Sequence, residues 1–140
     1  MKIKVQKIEP SVKLPVVAYE GDAGMDIFSN EDCLINSMEK AVIGAGLKFE
    51  IPKGYAGFIW DKSGLAVNNS LKTMAGVLDS GYRGELKIVL INLGKETYKV
   101  ERGQKIAQMI ISKVESPEIK EGELKDTQRD EKGFGSSGLK

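Results

Sequence analysis

Lys40-Ala41-Val42-Ile43-Gly44-Ala45-Gly46-Leu47-Lys48-Phe49-Glu50-Ile51-Pro52-Lys53-Gly54-Tyr55-Ala56-Gly57-Phe58-Ile59-Trp60 is the stretch on which the fold class turns. Lys40 to Ile43, Leu47 to Ile51 and Tyr55 to Trp60 each read with period two or as short apolar runs, the pattern of a chain whose side chains alternate across a pleated sheet. Gly44, Gly46 and Pro52-Lys53-Gly54 stand between them, residues that turn a chain and do not continue a strand. Outward from this core stretch the same pattern returns at Lys2 to Ile8, Glu85 to Leu90, Thr97 to Val100 and the apolar Ile106 to Ile111, with turn signals at Gly81, Gly84, Gly94 and Gly103. The spacing predicts an all-β sandwich or barrel. Helix has room only for a turn or two after Ser63, where the hydroxyl is expected to cap Gly64-Leu65-Ala66.

The 140 residues suit one domain, and 41% hydrophobic residues are enough for one core. Lys plus Arg number 21 and Asp plus Glu 20, a net charge of +1, which gives no footprint for a nucleic-acid backbone. With no His and a lone Cys33, His-based triads, Cys-His nucleophiles and the ordinary zinc sites are excluded within one chain. Any hydrolysis must run on carboxylates, hydroxyls, backbone amides or an oxygen-bound metal. A single cysteine forms no internal disulfide, so the expected compartment is the cytoplasm. No membrane association is expected, because no stretch approaches the roughly 20 apolar residues of a spanning helix and Met1 to Val5 alternates too soon for a signal peptide. Composition changes after Val114. Residues 1–114 are expected to form the β domain and 115–140 a tail, charged from Glu115 to Lys132 and closing on Gly133-Phe134-Gly135-Ser136-Ser137-Gly138.

Five segments interrupt the strand pattern with more chemistry than a turn requires. Asp22-Ala23-Gly24-Met25-Asp26 reads by itself as a hairpin loop with Asp for turn chemistry. Asp61-Lys62-Ser63-Gly64-Leu65-Ala66 puts a cation, a hydroxyl and a glycine at a helix start, where exposed amides suit a phosphate as well as a plain cap. Gly76-Val77-Leu78-Asp79-Ser80-Gly81-Tyr82-Arg83-Gly84-Glu85 brings a carboxylate straight off an apolar strand, where burial is costly unless the group is partnered or working. Arg102-Gly103-Gln104-Lys105-Ile106-Ala107-Gln108 sets Gln108 in an apolar strand, where its amide wants a partner. The fifth is the glycine- and serine-rich end of the tail with Arg129 upstream.

In order and spacing these segments resemble the homotrimeric dUTPases (dUTP diphosphatases), over nearly the whole chain, most specifically through the Gly76 to Glu85 segment combined with Ser63-Gly64-Leu65-Ala66 and Ile106-Ala107-Gln108. The resemblance implies a jelly-roll β subunit, a homotrimer with three active sites shared between subunits, dUTP as substrate, and Mg²⁺ held by the triphosphate and water with no direct protein ligand. It implies Asp79 as the base for water attacking the α-phosphorus, Tyr82 under the deoxyribose and main chain around Gly76 on the edge of uracil. Lys62, Ser63 and Gly64 would bind phosphate, Gln108 a phosphate or metal-bound water, and Asp26 would be a supporting carboxylate. Arg129, Phe134, Gly135, Ser136 and Ser137 would form a lid over the base and γ-phosphate. The chain departs from the family pattern at Lys62, where Arg is common, at Asp130 and Lys132, where glycines are usual, and at Gly81, where an acidic residue is common. The dCTP deaminases share the subunit fold but require a glutamate ten residues after the Asp of the third segment, and that position is Val89.

Overall fold

The computed structural model describes residues 1–138, so the last two residues of the expected 115–140 tail lie outside the described residues. Its elements are β1 (Lys4–Lys7), β2 (Met25–Phe28), β3 (Cys33–Ile35), β4 (Lys40–Gly44), β5 (Leu47–Glu50), β6 (Tyr55–Trp60), α1 (Ser63–Asn69), β7 (Leu71–Met74), β8 (Val77–Leu78), β9 (Lys87–Asn92), β10 (Tyr98–Val100) and β11 (Lys105–Lys113). Over the described residues the protein is an all-β, jelly-roll-like domain with one short helix.

Strands adjacent in sequence do not form the main ladders. In the opening stretch β4 pairs with β9, β5 with β1, and β6 with both β11 and β8, all antiparallel. The sheets run β2-β11-β6-β8, β4-β9-β7, β1-β5 and β10-β3. Alternation supplies their inner faces: Leu47 and Phe49 from β5, Ile88 and Leu90 from β9, Ile27 from β2, Val100 from β10 and Met109 from β11 enter one continuous core. Asn92 is fully buried at the end of β9, and its amide is satisfied by donating to the carbonyls of Ile35 and Glu96, both at 2.8 Å, and accepting from Gly94 N–H.

Four differences from the sequence reading have local causes. The turn of the first segment closes early, at Tyr19 to Asp22, through Asp22 Oδ2 accepting Tyr19 N–H at 3.0 Å. Asp26 therefore lies inside strand β2 and not in a loop. The strand expected at Glu85 begins at Lys87, because Glu85 Oε1 accepts Gly46 N–H at 2.9 Å and Leu86 exchanges main-chain bonds with Ala45 and Leu47. Ser63 does not cap the helix. It is the first helical residue, Lys62 holds the capping position with no capping bond from its side chain, and Ser70 ends the helix in the left-handed region with φ 55°. Finally, β8 is only two residues long, so Leu78 is buried but Asp79 emerges into solvent; its carboxylate bears no burial to be compensated.

Candidate active site

The described chain sorts the expected site residues into three groups. The first gathers on the ends of β2, β6 and β11. Asp26 is 3% exposed, and its Oδ1 receives Lys62 Nζ at 2.5 Å while Oδ2 lies 2.8 Å from Lys105 Nζ. Burial pushes this carboxyl up, but the Lys105 and Lys62 ammoniums beside it outweigh burial and hold it below the ordinary 3.8. The carboxylate in turn raises the Lys105 ammonium above its ordinary value. Ser63 and Gly64 follow Lys62 at the exposed start of α1, with open space where a Gly64 side chain would stand.

Gln108 braces the same group. Its Nε2 donates to the Asp61 carbonyl at 2.8 Å, and its Oε1 lies so close to Gly24 that a Cβ there would meet it at 2.5 Å. Asp61 pins the loop from its other end: Oδ1 accepts both the N–H (2.6 Å) and the hydroxyl (2.7 Å) of Thr73, and Oδ2 pairs with Lys72 at 2.9 Å. Burial raises this carboxyl, and Lys72 and Thr73 together bring it below the ordinary value. The first segment (Asp26), the second (Asp61 to Gly64) and the fourth (Gln108) thus meet within one chain, as β2 and β11 pair Asp26 with Gln108 and β11 and β6 pair Gln108 with Trp60.

The second group lines a cleft of about 210 Å³ that includes Ile59, Gly76, Asp79, Tyr82 and Val89. Gly76 has φ +120°, and a Cβ would stand 3.0 Å from the Ile59 carbonyl, so only glycine fits. Its own carbonyl accepts Ile59 N–H at 2.8 Å, which fixes the orientation of this peptide against β6. Asp79 opens a turn closed by Tyr82 N–H to its carbonyl at 3.1 Å, and the Tyr82 hydroxyl donates to the Glu85 carbonyl at 3.1 Å across Gly84. Asp79 and the half-exposed Tyr82 ring are therefore presented together from one rigid turn. None of Lys62, Asp26 or Gln108 lines this cleft.

The third group is the tail. Beyond Val114 every described residue but Gly133 is exposed, and Ile119, Leu124 and Phe134 present nearly all of their surface. Arg129 donates from Nε to the Lys132 carbonyl, and Ser136 and Gly138 donate to Gly133 and Gly135 in local turns. Asp130 stands at φ 45° and Phe134 at φ 48°, left-handed positions that a glycine adopts more readily. Arg129, Phe134, Gly135, Ser136 and Ser137 make no contact with the cleft of their own chain among the bonds described.

Two residues of this geometry escaped the sequence reading. Asp61 looks like an ordinary turn residue until Thr73 is seen to dock on it. Lys105 is three residues from Gln108, which in a regular strand places them on opposite faces. Among the described residues no three acidic or cysteine side chains converge as a metal cage, and Asp26 is already committed to two ammoniums. Such a donor set fits a divalent ion that arrives on phosphate oxygens and water and does not fit one caged by side chains.

The dUTPase family profile matches residues 11–138. The chain is 48% identical over 141 residues to the deoxyuridine 5'-triphosphate nucleotidohydrolase of Alkaliphilus metalliredigens, covering 99% of this chain and 98% of that one, and 45% identical to the enzyme of the same name from Clostridium kluyveri, covering 99% of each. Among solved structures it is similar to the dUTPase of Staphylococcus bacteriophage 80alpha with dUpNHpp, with a TM-score of 0.93, 30% identity and 99% coverage of each chain. It is also similar to a mutant dUTPase from phage phi11 of S. aureus, described with a structural Mg(II) ion, at a TM-score of 0.83 and 28% identity over 89% of this chain and 98% of that one.

Proposed function

The chain belongs to the dUTPase family, and from that membership and the geometry above we infer a dUTP diphosphatase that hydrolyses dUTP to dUMP and pyrophosphate. The observation that carries the choice of reaction is the cleft holding Asp79, Tyr82 and Val89 together. A deaminase would need a glutamate at the position of Val89 to shuttle protons at the pyrimidine ring. Here that wall is apolar, and Glu85, the other carboxylate lining the cleft, is engaged by Gly46 N–H.

Asp79 is the base. Exposed in a single chain, its carboxylate takes a proton from water as the water oxygen bonds to the α-phosphorus. The bond from that phosphorus to the bridging oxygen breaks, and pyrophosphate leaves with the electron pair. Tyr82, fixed by its hydroxyl to Glu85, supports the deoxyribose and leaves no hydrated space for a 2′-hydroxyl. The peptide around Gly76, immobilised on Ile59, reads the edge of uracil; cytosine would turn a donor against a donor. Lys62 with Ser63 and Gly64 binds the phosphates, and Gln108 holds that loop in place while its remaining N–H is directed to phosphate or metal-bound water. Mg²⁺ bound on the triphosphate would neutralise phosphate charge; Gln108 would face phosphate or metal-bound water, Asp26 would stay a supporting carboxylate beneath Lys62, and no side chain would be a direct ligand.

The phosphate loop, the nucleoside cleft and the tail are separate in one chain, which supports a homotrimer whose sites form between copies. One copy supplies Asp26, Lys62, Ser63, Gly64 and Gln108, a neighbour supplies Gly76, Asp79 and Tyr82, and a tail brings Arg129, Phe134, Gly135, Ser136 and Ser137 over the ligand. Closure excludes bulk water and strengthens the remaining electrostatics. A lone cysteine and a free deoxynucleotide substrate suit the cytoplasm, and among the described residues no helix is long and apolar enough to cross a membrane. Incubation with dUTP, dCTP or UTP plus Mg²⁺, followed by chromatography of the products, tests this reading. dUMP from dUTP alone is expected; a deaminated triphosphate from dCTP would overturn it.

A further inference from the structure

We propose that Lys105 is a positioning residue: by holding the second oxygen of Asp26 it frees Lys62, on the first, to transfer to the triphosphate. The inference rests on the dUTPase reading of the site. Lys62 and Lys105 approach different oxygens of one carboxylate, at 2.5 Å and 2.8 Å; among the described residues Oδ2 accepts no aligned hydrogen bond, and the Lys105 ammonium is the only cation paired with it. The carboxylate is buried, whereas the two lysine side chains are 29% and 49% exposed.

A buried carboxylate cannot easily be left without a cation. Were Lys62 its only partner, each phosphate bound by Lys62 would strand a charge beneath the site. With Lys105 in place the cluster carries two positive charges against one negative, and the departure of Lys62 leaves a paired carboxylate. Lys62 is a point charge on a flexible stem, without the fork of the arginine common at this position, so it cannot bind a carboxylate and a phosphate bidentately at once. Lys105 removes that competition.

The strand is built to deliver it. Across the β2–β11 ladder Lys105 faces Phe28 and Gln108 faces Asp26, and Phe28 and Asp26 are two residues apart and share a face. Lys105 and Gln108 are three apart and belong on opposite faces of a regular strand. An irregularity between Lys105 and Ala107 inserts one residue and returns both side chains to the Asp26 face. The same insertion explains why Ile106 and Ala107 are buried in succession.

The test uses the full chain with Lys105→Gln, Lys105→Arg, Lys62→Gln and the Lys62→Gln/Lys105→Gln double variant, and Lys99→Gln as a control at an exposed strand position. Steady-state dUTP hydrolysis and equilibrium binding of dUpNHpp are measured for each. Lys105→Gln should raise both KM and the dUpNHpp Kd about tenfold with kcat within about threefold, because Asp26 now retains Lys62. Lys105→Arg should restore both constants to within about twofold, and Lys105→Gln should add little once Lys62 is absent. Unchanged KM and Kd in Lys105→Gln, failure of Arg to rescue, or losses that simply add in the double variant would each overturn the proposal, the last by showing that Lys105 meets the ligand directly. A wild-type chain that neither hydrolyses dUTP nor binds dUpNHpp would instead overturn the functional reading on which it rests.

Discussion

Gln108 donates a hydrogen bond from Nε2 to the main-chain carbonyl of Asp61 at 2.8 Å, joining a strand to a loop 47 residues earlier in the chain. The bond makes the glutamine a brace for the loop that carries Lys62, Ser63 and Gly64. Gln108→Leu leaves the Asp61 carbonyl without its donor, and an orphaned part-buried acceptor costs about 1–3 kcal/mol, read as a lower denaturant midpoint. Displacement of the loop should lower kcat/KM by about 10²-fold, since a misplacement near 1 Å has that effect. A stable variant with full activity would show that the loop holds itself.

Asp79→Asn should fold as the wild type does, because the side chain is exposed and its turn is closed by main chain. Binding of dUpNHpp should persist. Turnover should fall by about 10²- to 10⁴-fold, the usual cost of removing a general base. Near-normal turnover would assign the base elsewhere.

Deletion of residues after Lys125 should leave the melting temperature within about 2 °C, as the exposed tail contributes no side chain to the core. Activity should nevertheless be almost lost with Phe134, Ser136 and Ser137. Unfolding or full activity of the shortened chain would each contradict a lid.

Acid should weaken the ion-pair cluster around Asp26 and Asp61. Asp26 and Asp61 titrate below their unfolded values, so their contributions to stability are fully present above about pH 4 and are lost as pH falls through the lower, folded values. Lys105 has the opposite sign: its pKa is raised, so its contribution is intact below its ordinary 10.5 and is lost only as pH rises through the higher folded value. Urea unfolding of wild type and Asp26→Asn should therefore show a stability gap at pH 7 that narrows below pH 4. A gap independent of pH would deny the ion pair a role.

Mixing two inactive variants tests the proposed trimer and the sharing of its sites. Asp79→Asn with an intact tail and the tail deletion with Asp79 intact are each expected to be inactive. In either mixture of two and one, a single junction pairs a working Asp79 with a neighbour's tail. Random equal reassembly makes about three quarters of rings mixed, each with one working site of three, so about a quarter of full activity should return. Demonstrated subunit exchange with no recovery would place Asp79 and the tail within one chain.

Period-two patterning over Lys40 to Trp60, with glycine and proline between the runs, was enough to determine an all-β chain, because alternation across a sheet is a local property of the backbone. The five polar segments were likewise legible, since a carboxylate, lysine or glutamine placed among apolar residues stands out by composition alone. Pairing was not, because β4, β5 and β6 take their partners from strands far along the chain and nothing in a run of alternating residues names its partner. Short strands were missed for a related reason: β2 holds Asp26, and β3 has three residues, too few for a period to show. Only the tertiary structure decided that Asp79 is exposed, that Gln108 serves the Asp61 loop, and that one inserted residue turns Lys105 toward Asp26. Each depends on which strand lies alongside and in what register, and a register is fixed by the packing of the whole core and not by the residues that it brings together.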